Sequence, residues 1–146
     1  MNIIITLPIN LVAEIAEGRK QVEIRKSFPM LFNPVEDIVW VKTKGADKVA
    51  LCITISHIEA SSDIAFICRR YQYKNRVPFD RLMSYTKKAK RIYVWHIQRV
   101  TIFTPNLSFS DTFKRMKGPQ QYYYTKVQLS DIDTNVKKQT ARKIQE

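Results

Sequence analysis

Short apolar stretches separated by proline and glycine organise the start of this chain. Residues 3–7 are β-branched and apolar and predict a strand, which Pro8 should end. Asn10 is a suitable N-cap for a helix over residues 11–17, whose apolar side chains share one face. Gly18 follows where a left-handed residue commonly ends a helix. The pattern predicts a strand, a helix and a turn.

Residues 20–27 alternate between apolar and polar side chains, which is typical of a strand with one buried face. Val22 and Ile24 should point into the core. Glu23 and Arg25 should then share the opposite face, where they are exposed or line a cleft.

The remaining pattern mixes strands and helices without strict alternation. It predicts a hairpin, two central helices, a long strand, a short late helix and a closing strand. The hairpin strands cover residues 38–42 and 49–58, and the two helices cover residues 64–73 and 79–90. The long strand covers residues 91–103 and should end at Pro105, the short helix covers residues 110–116, and the closing strand covers residues 122–129. The mixture favours an α+β domain over a doubly wound sheet. Such a domain would be a small curled sheet or β-barrel with peripheral helices.

A chain of 146 residues can bury one core without disulfides. Residues 1–128 are expected to form the domain, and residues 129–146, which are polar with few apolar anchors, an exposed helix or a frayed tail. Cys52 and Cys68 lie in apolar stretches and lack the spacing of a metal site, so we expect buried, reduced thiols.

Positive charge is concentrated in the second half of the chain. Residues 1–68 carry 7 basic and 8 acidic side chains, so the net charge of +12 comes entirely from residues 69–146. Residues 69–99 hold 10 basic side chains and a single acidic one. Such a field attracts polyanions, most commonly nucleic acid, although an acidic protein or a membrane surface would also respond to it. Aromatic residues threaded through the same stretch could stack on bases or belong to the core.

Common enzyme signatures are absent from the sequence. There is no glycine-rich phosphate loop, nucleophile elbow or acidic cluster suited to magnesium, so we expect no metal and no cofactor. His57 and His96 lie 39 residues apart, a spacing that gives no reason to pair them. No apolar stretch approaches the roughly 18 residues of a membrane span, and we expect a soluble, cytoplasmic protein that does not bind membranes.

The run from Gly18 to Arg25 carries the chemistry that remains. Glu23 and Arg25 share a strand face, and Lys20 lies at the preceding turn, where it could join them in one cleft. A carboxylate accepts hydrogen bonds from base amino groups, while guanidinium and ammonium groups bind phosphate. The alternative is a Glu23–Arg25 ion pair on a solvated face, with Lys20 free.

The spacing of Gly18, Lys20, Glu23 and Arg25 resembles the GxKxxExR motif of the ASCH domain, a member of the PUA-like superfamily. The resemblance covers roughly residues 1–128 and continues through segments 26–29, 52–60 and 93–100, the helical insert with Tyr85, and the run 119–121 with the aromatics after it. It implies a small β-barrel with peripheral helices and a cleft where the motif residues meet.

The resemblance also implies a module that binds RNA or acts on nucleic acid. Some ASCH domains are enzymes: one bacterial group deacylates N4-acetylcytidine with a lysine, a threonine and a glutamate, and others cleave RNA. Lys20 falls at the position of that lysine, but Glu23 stands in place of the threonine. A carboxylate can act as a base but cannot imitate a hydroxyl nucleophile, which argues against the amidohydrolase while leaving other hydrolysis open.

We therefore expect a module that binds RNA or another nucleic acid, with Lys20, Glu23, Arg25 and Tyr85 in a nucleotide-sized cleft. Either Tyr85 or Trp95 would supply a stacking wall. The alternative is a hydrolase acting on a modified nucleoside, or a ribonuclease, with Lys20 and Glu23 as its catalytic residues. Phosphate contacts are expected from the basic stretch, namely Arg69, Arg70, Lys74, Arg76, Lys87, Lys88, Lys90 and Arg91.

Overall fold

The computed structural model describes residues 1–141, which form seven strands, four α-helices and one short 3-10 turn. In chain order these are β1 (Asn2–Leu7), α1 (Ile9–Ala16), β2 (Val22–Arg25), β3 (Ile38–Thr43), β4 (Val49–Ser61), α2 (Ile64–Asn75), α3 (Phe79–Thr86), β5 (Ile92–Leu107), α4 (Phe109–Phe113), β6 (Tyr123–Thr125), the 3-10 turn (Leu129–Asp131) and β7 (Lys137–Thr140). The predicted α+β class is confirmed.

All seven strands belong to one sheet, in the order β2-β5-β4-β3-β1-β6, with β7 also paired to β5. Only the β1–β3 ladder is parallel among the described pairs. β5 is 16 residues long and pairs with β2 near its start and with β7 further along. The β4–β5 register shifts around Ser56, and such a bulge increases the local bend and twist of the pair.

The sheet is not closed into a barrel, so that part of the prediction is wrong. β6 pairs only with Asn2–Ile4 of β1, and within residues 1–141 no strand lies beside the outer edge of Ile5–Leu7. β2, at the other end of the strand order, pairs with β5 alone in the described chain. A side chain spans part of the gap: Arg25 Nη1 donates to the Gln121 carbonyl oxygen at 3.2 Å. The opening between β1 and β2 is where a cleft forms.

Three apolar clusters hold the helices against the sheet. The largest packs α1 against the strands and includes Ile5, Ile15 and Trp95. A second cluster surrounds Trp40, and a third packs α2 and α3 against β2 and β5. Because β2 lies between the first and third clusters, all four of its residues are buried, polar ones included.

Two predicted boundaries near prolines differ from the structure. α1 begins at Ile9 with Pro8 as its N-cap and no side-chain capping bond, so the predicted cap at Asn10 is wrong. β5 continues through Pro105 to Leu107, because the β4–β5 register jumps from Ile102 to Leu107 and Pro105 lies where no ladder bond to β4 is needed. The turn at Gly18 is confirmed by its positive φ of 80°.

The polar segment after residue 128 is not a helix or a frayed tail as far as the structure describes it. β7 pairs with Thr101–Thr104 of β5, and Ile132 is buried in the cluster around Trp40. A few apolar side chains are enough to hold this segment on the sheet. Residues 142–146, which the prediction also covered, lie outside the described residues.

No helix within residues 1–141 has the length and apolar character needed to cross a membrane.

Candidate functional site

The predicted trio of charged residues meets at one point. Lys20 Nζ lies 2.9 Å from Glu23 Oε1, and Arg25 Nε lies 2.8 Å from Glu23 Oε2. One carboxylate is therefore held between two cations, each on its own oxygen. The N–H of Arg25 Nε is not directed at this oxygen, so the contact is an ion pair rather than a well-aligned hydrogen bond.

Lys20 is completely buried, and three acceptors surround its ammonium. Besides the ion pair with Glu23, Lys20 Nζ donates to the Asn75 backbone oxygen at 2.8 Å and to Asn75 Oδ1 at 2.7 Å. Asn75 is the last residue of α2, and its side chain is buried with Lys20. Burial lowers the pKa of the Lys20 ammonium, and the attraction of Glu23 offsets this only in part. Lys20 lies beneath the cleft rather than on its surface.

Glu23 stays ionised in spite of its burial. Burial alone would raise the pKa of this carboxyl, but Lys20 and Arg25 together outweigh it, so the pKa lies below its ordinary value. An ionised carboxylate offers about four acceptor positions, of which the two cations occupy two. Glu23 therefore keeps acceptor capacity toward the cleft that it helps to line.

The cleft between β1 and β2 has a volume of about 360 Å³, within the range of small-ligand sites. Glu23, Arg25 and Tyr85 line it, whereas Lys20, predicted to line the same cleft, does not. Its other walls come from the end of β1, the α1 start, the turn after β3 and the two central helices, and they include Thr6, Leu7, Pro8, Leu11, Ile24, Lys44, Asn75, Val77, Arg81, Leu82 and Gln120. We call this the central cleft.

A smaller chamber of about 210 Å³ continues from the central cleft and shares Arg25, Tyr85 and Gln120 with it. We call it the side chamber. Tyr85 is 42% exposed, and Lys26 Nζ lies 4.5 Å from the centroid of its ring. Burial raises the pKa of the Tyr85 hydroxyl. An exposed ring at the junction of two hollows can stack on a flat ligand.

Trp95 is only 1% exposed and is stacked against Phe32 at 6.2 Å between ring centroids. Its ring is therefore part of the core, and of the two predicted stacking walls Tyr85 is the accessible one. The indole Nε1 of Trp95 is buried without a hydrogen-bond partner among the described residues, and Trp95 lines the side chamber. A buried donor of this kind is costly unless a ligand or water accepts from it.

The eight basic residues predicted as phosphate contacts are all exposed and lie on α2 and in the turns that follow α2 and α3. None of the eight lines the central cleft or the side chamber. Arg76 Nε lies 3.2 Å from Glu14 Oε2, and Arg70 packs over Tyr71. Their role as phosphate contacts stays a prediction.

Other cations line the hollows instead. Arg81 and Lys44 line the central cleft, and Lys26 lines the side chamber. A signal for Arg81 existed in the sequence, because it precedes Tyr85 by four residues on α3 and so shares its helical face. No local pattern pointed to Asn75 or Lys44, since each is brought to the site by the fold alone.

The two histidines, expected to be independent, are partners. The β4–β5 register places His57 opposite His96, and their rings stack at 4.1 Å between centroids. Glu59 Oε1 lies 3.2 Å from His96 Nε2 and accepts a 2.6 Å hydrogen bond from the Tyr71 hydroxyl. His96 is next to Trp95 on β5 and therefore points to the face opposite the central cleft.

Within residues 1–141 no cluster of side chains is suited to hold a metal ion.

The sheet is open, with a cleft between β1 and β2. Comparison with solved structures shows that this α+β fold is of the ASCH type. An ASCH domain structure from Zymomonas mobilis matches with a TM-score of 0.69 at 15% identity, over 86% of this chain and 87% of that chain. A serine-to-alanine variant of it matches with a TM-score of 0.74 at 15% identity, over 86% and 88% of the two chains. A tyrosine-to-phenylalanine variant gives 0.70 at 14% identity, over 86% and 90%.

No family model and no curated protein matches the sequence. At identities of 14 to 15% the similarity concerns the fold. The ASCH-like fold expected from the GxKxxExR resemblance is therefore confirmed, and the function has to be argued from the site itself.

Proposed function

We propose that this protein is an RNA-binding module whose central cleft receives one nucleotide base. The observation that carries the proposal is the Glu23–Arg25 pair, held at a fixed distance in a hollow of about 360 Å³ beside the exposed ring of Tyr85. The carboxylate would accept from an amino group of the base, the guanidinium would donate to a carbonyl, and Tyr85 would stack on the ring.

The charge of the site supports this proposal. The trio holds two cations and one carboxylate, so a positive charge is left over at the floor of the cleft. The phosphate backbone of a bound strand would offset it. The basic residues of α2, α3 and the turns around them would attract such a strand from a distance.

Binding of a short, labelled single-stranded RNA tests the proposal. The logarithm of the affinity, measured by fluorescence anisotropy, should fall by about 0.7 per neutralised phosphate as salt is raised. Arg25→Ala should weaken binding about tenfold, the usual effect of losing a charge-assisted hydrogen bond. Arg99→Ala removes the same charge from an exposed position on β5 and is the matched control.

Circular dichroism of Arg25→Ala separates binding from folding. A variant that keeps its melting temperature but binds RNA weakly supports the proposal. Wild-type protein that does not bind at moderate salt, or whose binding ignores salt, would contradict it.

A hydrolase is the second candidate, because a buried lysine with a lowered pKa beside a carboxylate is an arrangement that can transfer protons. The geometry makes it the weaker one, since Lys20 is fully enclosed, hydrogen-bonded twice to Asn75 and ion-paired with Glu23. Incubation with N4-acetylcytidine and with labelled RNA separates the two candidates. Turnover that Lys20→Ala abolishes would favour the enzyme, and binding without turnover favours the module.

A further inference from the structure

The central cleft opens at one end into a larger hollow of about 740 Å³. The two hollows share Thr6, Pro8, Lys44 and Gln120, so they form one continuous groove along the end of β1. The far hollow is bounded by the turn between β3 and β4 on one side and by residues 116–120 on the other. A ligand in the central cleft could therefore extend into it.

Three lysines line this far hollow: Lys42 on β3, Lys44 in the turn and Lys117 after α4. Lys42 is 7% exposed, yet within the described chain its ammonium makes a single hydrogen bond, to the Thr43 backbone oxygen at 3.1 Å. Its ammonium also lies over the face of Phe109, 5.3 Å from the ring centroid. A buried ammonium with two donors to spare is expensive unless an anion or water completes its shell.

The floor of the hollow holds a second buried donor. Thr6 Oγ1 has no hydrogen-bond partner among the described residues and lies beside Lys42 through the β1–β3 ladder. Gly118 packs directly over both, since a Cβ there would lie 2.7 Å from Lys42 Cδ and 2.8 Å from Thr6 Oγ1. The backbone at residue 118 thus lies over the Thr6 hydroxyl and the methylene stem of Lys42, beyond which the ammonium keeps donors to spare.

Asp47 is the single carboxylate that lines the far hollow within the described chain, and it is already engaged. Ser110 donates to it from its hydroxyl and its backbone N–H, each at 2.7 Å, and Ser108 from its hydroxyl at 2.9 Å. The Ser110 hydrogen bonds, with smaller help from Ser108 and Lys42, hold the pKa of this carboxyl below its usual range. Asp47 therefore fastens α4 to the turn, and the lysines leave a positive excess in the hollow.

We propose that the far hollow binds a phosphate group, through Lys42 and Lys44. Resting on the proposed function, the inference assigns this phosphate to the nucleotide whose base occupies the central cleft. A free phosphate ion has the same chemistry, and the experiment distinguishes the two sources. The RNA backbone would then contact the groove along β1, and its contacts would not be limited to the basic surface of α2, α3 and the turns around them.

Isothermal titration calorimetry with three probes tests this assignment: a ribonucleoside, its monophosphates, and inorganic phosphate. The monophosphate of the preferred nucleoside should bind wild-type protein about tenfold more tightly than the nucleoside. Lys44→Gln should remove most of this gain, measured as the ratio between the monophosphate and nucleoside affinities of the same variant. Lys48→Gln, an exposed lysine of the same turn that does not line the hollow, should remove none of it.

The outcomes separate this proposal from the proposed function. If the nucleoside binds through Arg25 but phosphate adds nothing, or if Lys44→Gln and Lys48→Gln behave alike, the phosphate site is wrong and the nucleotide cleft stands. If no nucleoside or RNA binds but inorganic phosphate does so and Lys44→Gln weakens it, the hollow takes free phosphate and the proposed function is wrong. Lys42→Met provides a second test if its melting temperature is retained, because it should abolish the gain without touching the turn.

Discussion

At the scale of single residues, the site depends on how Glu23 is shared. Its two oxygens hold Lys20 and Arg25 at 2.9 and 2.8 Å, so the carboxylate fixes the position of both cations. Lys20 is enclosed by Glu23 and by two acceptors of Asn75. The Arg25 guanidinium has five N–H groups and, within the described chain, makes one hydrogen bond, to the Gln121 carbonyl oxygen, besides its ion pair with Glu23. Arg25 is therefore the cation of the trio that can still bind a ligand, and Lys20 is the one that positions Glu23.

The ionisation of Glu23 makes a prediction about acid stability. The pKa of its carboxyl is lowered from the ordinary value of 4.5 in the folded protein, so the folded state binds the proton less tightly than the unfolded state. Its contribution to stability is then fully present above pH 4.5 and is lost as the pH falls toward the folded pKa. Glu23→Gln cannot titrate.

We expect the wild type to exceed Glu23→Gln in free energy of unfolding near neutral pH, and the difference to shrink as the pH falls below 4.5. Urea unfolding of both proteins over a pH series measures this difference. Because other carboxyls titrate equally in both proteins, comparison with the variant isolates Glu23. A difference that stays constant across the acid range would contradict the ion pairing described for this residue.

Residue-level prediction from sequence succeeded where the relation was local. Glu23 and Arg25 are two positions apart on one strand, so their shared face follows from strand alternation. The burial of Lys20 did not follow, because its partner Asn75 lies 55 positions away and arrives only when α2 packs on β2. Helical or strand periodicity carries no information about a contact of that kind.

At the scale of elements, the segment after β6 contributes more to the fold than its composition suggests. Ile132 is 7% exposed and packs in the cluster around Trp40, next to the strand pair β5–β7. Packing at this point attaches β7 to β5, so the C-terminal part of the described chain should contribute to stability.

Ile132→Ala tests that contribution. We expect a loss of about 2 kcal/mol in the free energy of unfolding, at the lower end of the range for a buried isoleucine because the segment is short. Ile9→Ala makes the same change at a side chain that is 67% exposed and should have little effect. Chemical unfolding measures the free energy of unfolding of both variants. Small losses of equal size in the two variants would contradict a contribution of the segment after β6 to stability.

The elements also show why a barrel was predicted and an open sheet is found. The sequence predicts six strands with helices inserted between them, a mixture that favours a small curled sheet or barrel, and all six strands are present in the structure. Closure depends on whether the two end strands meet along their length. β6 is three residues long and pairs with only half of β1. The sequence of β6 does not indicate how much of β1 it pairs with, so the open sheet could not be predicted from it.

At the scale of the whole molecule, two separate positive regions surround one groove. The first is the exposed basic face of α2, which carries Arg69, Arg70 and Lys74. The second consists of the cations that line the hollows, from Lys26 and Arg25 through Arg81 to Lys44. Charge counting along the chain identified the first region and missed most of the second, because the groove-lining cations come from several elements and form no run in the sequence.

These two regions should affect different steps of RNA binding. An exposed charge outside the contact acts over a distance and speeds the encounter, whereas a charge in contact with the ligand slows its release. Replacing Arg69, Arg70 and Lys74 together by glutamine should therefore lower the association rate about tenfold at low salt, with the effect fading as salt is raised. Arg81→Gln should instead raise the dissociation rate and leave association nearly unchanged.

Stopped-flow fluorescence with the labelled RNA at several salt concentrations measures both rates. If the triple variant raises the dissociation rate as much as Arg81→Gln does, the strand contacts the α2 face directly, and the basic residues predicted from sequence are phosphate contacts after all. If Arg81→Gln alters association alone, the central cleft is not where the strand is held. The kinetic separation therefore tests which of the two positive regions is the binding surface and which one only attracts the strand to it.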